Sequence, residues 1–269
     1  MKKTLLVGNW KMHLTVHESS VLVHRLHQHI KAHRTVEVVL APSMLALQPV
    51  SMEIDRRVFR LAAQNAYPTD EGAFTGEVSF AMLQNLVHYA IVGHSARRLY
   101  FGETLEMVRD KVQAAFRNGI TPILCIGETQ QERLEGETKR VIYDQLTTAL
   151  ANLTSDEVET MVIAYEPVWA ISSGSDFANH EVAKPDEVQR IVDYIRHNVS
   201  ELYGETAANA VRVLYGGSSN AENARAYLEL PGIDGLLPGG ASLNYKEFSA
   251  MVDTAALVHT EKEHTHAKH

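Results

Sequence analysis

The stretch Val162–Gly174, VIAYEPVWAISSG, decides how this chain is read. Four apolar residues, three of them β-branched or aromatic, form a run that fits a buried strand, and the run stops on Glu166. Proline, tryptophan and small residues follow at once. A carboxylate at the end of a buried strand costs desolvation energy unless it is paired or used. A strand that delivers a polar residue at its C-terminal end and passes into a loop is the repeating half of a parallel α/β unit.

Working outward, the same grammar repeats. Strand candidates are Thr4–Val7, Val36–Ala41, Phe59–Ala63, Tyr89–Val92, Thr121–Ile126, Val162–Tyr165, Val211–Leu214 and Gly235–Leu237. Helical patterns at three- and four-residue spacing lie between them, among them Leu105–Asn118, Thr138–Leu153, Asp186–Tyr203 and Tyr245–Leu257. Strict alternation predicts parallel strands joined by right-handed crossovers. Eight such units in about 250 residues predict one closed (β/α)₈ barrel over residues 1–257. No G-x-G-x-x-G follows the first strand, which argues against a dinucleotide-binding sheet. Residues 258–269, ending in the His-rich VHTEKEHTHAKH, are expected to form a disordered tail, with His259, His264, His266 and His269 not assigned to a metal.

Composition narrows the function classes. Of 269 residues, 33 are acidic and 25 basic, a net charge of −8, and no basic stripe suggests nucleic acid. The single cysteine, Cys125, cannot form an internal disulfide, so a reducing, cytoplasmic home is expected. No segment approaches the roughly 18 apolar residues of a membrane span. An anionic substrate would have to be held by local groups against the overall sign of the charge.

The residues after each strand gather at the rim where a barrel of this kind carries its active site. Asn9, Trp10 and Lys11 follow the first strand, His94 the fourth, Glu166 the sixth, Gly216–Gly217–Ser218 the seventh and Gly239–Gly240 the eighth. Singly, each has a plain structural role: a solvated lysine, a packed histidine, a helix-capping carboxylate, ordinary turn glycines. Together they suit proton abstraction beside a carbonyl. A glutamate in a water-poor pocket is a strong base, a neutral histidine polarises an oxygen, a lysine supplies positive charge, and glycines let backbone N–H groups approach a phosphate.

The motifs GNWKM, AQN, GAFTGEVS, GHSARR, CIGET, AYEPVWAI, YGGS and GGASL, in this order along nearly the whole chain, resemble the triosephosphate isomerase family. That family is itself the standard example of a glutamate base paired with a neutral histidine under a closing loop. The resemblance implies cofactor-free interconversion of dihydroxyacetone phosphate and D-glyceraldehyde 3-phosphate. It assigns Glu166 as the proton shuttle, His94 as the electrophile, and Lys11 with Asn9 as polar stabilisers. Phosphate contacts would come from Asn9, Lys11, Ser172, Ser218, Gly239 and Gly240, with Pro167 and Trp169 hinging the loop. It also implies a homodimer in which the loop Tyr67–Ser79, with Phe74 and Thr75 at its tip, plugs into a second copy.

The chain departs from the family pattern at Ala96, where glutamate is usual, and at Ser172, where glycine is usual. Pro238 precedes the last glycine pair, and Ser175–Lys184 is a longer segment than the family needs. The longer segment resembles relatives acting on four-carbon ketose phosphates, but the intact NWK and GGASL stretches favour the three-carbon substrate. A phosphate-binding barrel without catalysis is the remaining alternative.

Overall fold

A computed structural model describes residues 2–171 and 182–266. Eight strands close into a barrel: β1 (Thr4–Asn9), β2 (Val36–Ala41), β3 (Phe59–Ala63), β4 (Tyr89–Val92), β5 (Thr121–Ile126), β6 (Val162–Tyr165), β7 (Arg212–Tyr215) and β8 (Gly235–Leu236). All neighbours are parallel and in sequence order, and β8 pairs back onto β1 through Leu5↔Gly235 and Leu6↔Leu236. The expected (β/α)₈ architecture is therefore the observed one.

Strand periodicity sorts the core into two bodies. Leu5, Val7, Val39, Ile91, Ile123 and Leu214 belong to the cluster that fills the barrel. Their neighbours Leu6, Val38, Leu40, Val92, Leu124 and Val213 point outward into the larger layer beneath the helices. Small residues, Ala41, Ala62 and Ala164, leave room in the interior for larger partners. At Gly235 a side chain would lie 1.8 Å from the Leu5 carbonyl oxygen, so only glycine lets β8 close the ring.

Helix starts are written locally. Thr15 with Glu18, Thr129 with Glu132 and Thr154 with Glu157 form reciprocal capping boxes. Pro185 opens the long helix Pro185–Tyr203, and Gly102 ends Ser95–Phe101 in a left-handed turn.

Several boundaries differ from expectation. β1 runs two residues further, to Asn9, and β7 lies one residue later, because its pairing with β6 sets Tyr165 opposite Tyr215. The last helix does not stop at Leu257 but continues from Tyr245 to His266. Val258 and His259 are both 3% exposed, and the His259 ring bonds Thr4 Oγ1 at 3.0 Å. Lys262 Nζ donates to the Leu230 carbonyl at 3.1 Å, and Glu261 pairs with Arg225 at 2.7 Å. The polar segment is helical because two of its residues reach the core and two others are tethered to neighbouring elements. Among the described residues, no helix is long and apolar enough to cross a membrane.

Candidate active site

The strands' C-terminal ends bring Asn9, Lys11, His94 and Glu166 into one cleft, whose wall also includes Gly217, Ser218 and Gly239. Glu166 is 2% exposed. Its backbone N–H donates to the Ile126 carbonyl at 2.8 Å, which continues the pairing of β5 with β6 beyond Tyr165. The Glu166 Oε1 lies 3.0 Å from His94 Nε2, and Oε2 accepts the Ser95 N–H at 3.2 Å. Burial pushes the carboxyl pKa upward. His94, the Ser95 N–H and the Lys11 cation together outweigh it and hold Glu166 below the usual glutamate value of 4.5.

His94 caps the helix Ser95–Phe101, and its Nδ1 accepts the Ala96 N–H at 3.1 Å. An Nδ1 that accepts cannot carry the proton, so in the neutral ring the proton sits on Nε2, facing Glu166. The helix start thereby fixes the tautomer.

Lys11 occupies a left-handed backbone conformation at φ 52°, a strained choice for a residue with a side chain. Its N–H donates to Asn9 Oδ1 at 3.1 Å, and its carbonyl accepts from Gln64 Nε2 at 2.8 Å. Gln64 also bonds the Ala41 carbonyl at 2.9 Å, so three strand ends share the work of holding the turn. Burial lowers the ammonium pKa, opposed by Glu166. Ala96 presents no carboxylate to Lys11. A cavity of about 440 Å³ opens beside them, lined in part by Met12, Gln64, Asn65, Tyr100 and Phe101.

The glycines also make room for neighbouring side chains. A side chain at Gly216 would lie 2.8 Å from Glu166 Cγ, so this glycine gives the Glu166 side chain its room. One at Gly239 would lie 3.2 Å from Lys11 Cε. Gly239 caps the short 3₁₀ turn Gly240–Leu243, so Gly240 stands directly behind the cleft wall. Ser218 donates its backbone N–H to the Ala170 carbonyl at 2.9 Å. Ser172 lies outside the described residues.

Sequence reasoning passed over Glu128, the buried acid of the CIGET motif. It accepts from Trp169 Nε1 at 2.8 Å and from the Tyr165 hydroxyl at 3.2 Å, and its carbonyl takes the Val168 N–H at 2.9 Å. Arg133 stacks 3.7 Å over the Trp169 ring. The segment leaving Glu166 is thus anchored from β5's loop. A signal was present in the sequence, an acidic residue following an apolar strand and a glycine, but so ordinary a pattern carries no role without its partners. Among the described residues, no group of three or more metal-ligating side chains forms a metal site.

Comparison with known proteins converges on one family. The family model described as triosephosphate isomerase matches residues 4–255. A triosephosphate isomerase of Carboxydothermus hydrogenoformans is 44% identical over 253 residues, spanning 94% of this chain and 98% of the relative. That of Endomicrobium trichonymphae is 43% identical over the same shares. That of Chloroherpeton thalassium is 41% identical over 257 residues, 95% of this chain and all of the relative.

Proposed function

Because this chain belongs to the triosephosphate isomerase family, we propose that Glu166, His94, Lys11 and Asn9 carry the interconversion of dihydroxyacetone phosphate and D-glyceraldehyde 3-phosphate. The reaction itself is the family's, an aldose–ketose isomerisation; the tetrulose-phosphate reading is not favoured. Glu166 takes a proton from the carbon beside the substrate carbonyl and returns it to the neighbouring carbon. His94 donates its Nε2–H to the oxygen that gains charge in the enediolate and moves a proton between the two oxygens. Lys11 offsets the substrate's negative charge in a chain whose net charge is −8.

The observation that supports this reading most is the 3.0 Å contact between Glu166 and the protonated nitrogen of His94 in a buried cleft. A carboxylate base and an electrophile that already touch can act on the two adjacent carbons and oxygens of one small substrate. The phosphate is assigned beside Lys11 at Gly239 and Gly240, where a 3₁₀ turn begins, and beside Ser218; Ser172 is a further contact by family resemblance. The segment from Pro167 closes over the bound substrate and excludes water. We assign the active form as a cytoplasmic homodimer. Its support is the apolar surface of the monomer: Met12 is 94% exposed, and Phe74, though it packs on Tyr67 at 4.5 Å, is still 42% exposed. A coupled assay on triose and tetrulose phosphates side by side tests the substrate. Turnover of the triose and little of the tetrulose is expected; the reverse overturns the assignment.

A further inference from the structure

The β4–β5 ladder ends at the Val92–Leu124 pair. The residues at the next rung, Gly93 and Cys125, are instead joined through a side chain. Arg98 donates Nε–H to the Gly93 carbonyl at 2.8 Å and Nη2–H to the Cys125 carbonyl at 2.7 Å. Gly93 carries the peptide bond to His94. Cys125 precedes Ile126, whose carbonyl holds the Glu166 N–H. The guanidinium therefore spans the gap between the strand end bearing the electrophile and the strand on which the base hangs.

A cavity of about 140 Å³ lies behind Glu166, lined by Arg98 with Ser95, Thr129, Glu132 and Gln145. Arg98 Nη1 is buried without a partner among the described residues. Gly93, at φ 71°, would bring a side chain within 3.0 Å of Arg98 Nη2, so the guanidinium is seated tightly against the His94 peptide. A buried guanidinium with one nitrogen and its two N–H donors unmet is a costly way to join two carbonyls if fold stability were its only purpose.

We propose that Arg98 is a positioning residue for the isomerisation: by bridging Gly93 and Cys125 it sets the separation of His94 from Glu166. The inference rests on the functional reading above. A lysine at this position keeps the charge but lacks the planar fork that meets the two carbonyls in fixed directions, and a misplacement near 1 Å costs about 100-fold in rate.

The test is steady-state kinetics of Arg98→Ala and Arg98→Lys, with and without millimolar guanidinium chloride. A positioning role lowers kcat while KM stays near wild type, because the phosphate contacts at Lys11 and Gly239 are untouched. Guanidinium should recover part of the lost kcat in Arg98→Ala, and methylammonium, which lacks the fork, should not. Should Arg98→Ala fail to fold, Arg98→Lys carries the test. Its His94 ring ¹⁵N resonances should shift from wild type in the resting protein. Wild-type kcat in either folded variant overturns the proposal, as does a loss confined to KM or unchanged His94 resonances in Arg98→Lys. Wild-type protein without isomerase activity would instead overturn the functional reading, so the two failures are distinct.

Discussion

The role proposed for Glu166 needs a carboxylate that is both ionised and buried, and its neighbours reconcile the two demands. Replacement by glutamine keeps the shape and the hydrogen bond from Ser95 but removes the proton acceptor. Turnover of Glu166→Gln should fall by several orders of magnitude while binding of inorganic phosphate persists. Because the carboxyl is held below 4.5, the acid limb of kcat/KM should lie below the range of a free glutamate. The sign for stability follows. A carboxyl whose pKa is depressed on folding stabilises fully above its unfolded pKa and loses that contribution as pH falls through the folded one. The Tm advantage of wild type over Glu166→Gln should therefore shrink on acidification below the usual glutamate pKa. Lys11 works in the opposite direction: burial lowers its pKa, so KM should rise on the alkaline side before an ordinary lysine would titrate. Ala96→Glu would place a carboxylate facing Lys11, and the alkaline rise in KM should move to higher pH with kcat changed modestly. Gly216→Ala would put a methyl 2.8 Å from Glu166 Cγ, so kcat should drop more than KM changes. The residues gathered at the cleft were legible in the sequence because each follows an apolar run. The reason for Gly216 was not, since what a missing side chain makes room for depends on β6 and β7 lying side by side.

Two elements carry more than their sequences announce. The turn leaving β6 is pinned by Glu128, whose carboxylate meets Trp169 and Tyr165 in the interior. Glu128→Ala leaves the buried Tyr165 hydroxyl and the half-buried Trp169 N–H unmet and should cost about 2–6 kcal/mol by chemical denaturation, at roughly 1–3 kcal/mol per group. The C-terminal helix is the other. Truncation after Leu257 removes the His259–Thr4 bond, the Lys262 tether and the burial of Val258. Tm should fall by several degrees, at about 2–4 °C for each kcal/mol lost in a chain of this size. An unchanged Tm would mean the segment adds nothing. Strand positions could be read from β-branched runs, with errors of a residue or two where register, a property of the neighbouring strand, decides the end. The helix beyond Leu257 could not be read, because among the described residues only Val258 and His259 of its polar stretch are buried, too few to show a period.

At the scale of the molecule, a chain of net charge −8 binds an anion only by concentrating positive groups and N–H donors at one end of its barrel. Closure of eight parallel strands makes this possible, since every loop that follows a strand opens on the same rim. The barrel was legible from alternation alone; the side-chain bridges between its strand ends were not, because Arg98 and Gln64 gain their meaning only across the ring. Exposed apolar residues around Met12, Phe74, Tyr100 and Phe101 should be covered in solution. Light scattering of the purified protein is expected to give twice the chain mass of 29.9 kDa, and a fully active species of monomer mass would refute the dimer. Removing Gly72 to Gly76 should yield a monomer of much lower turnover. The most direct test of the central claim is turnover of dihydroxyacetone phosphate in D₂O, followed by NMR, for wild type beside Glu166→Gln. The expected result is rapid isomerisation with deuterium appearing on the reacting carbon in wild type, and a rate lower by several orders of magnitude in the variant. Near-equal rates and labelling in the two proteins would contradict Glu166 as the proton shuttle.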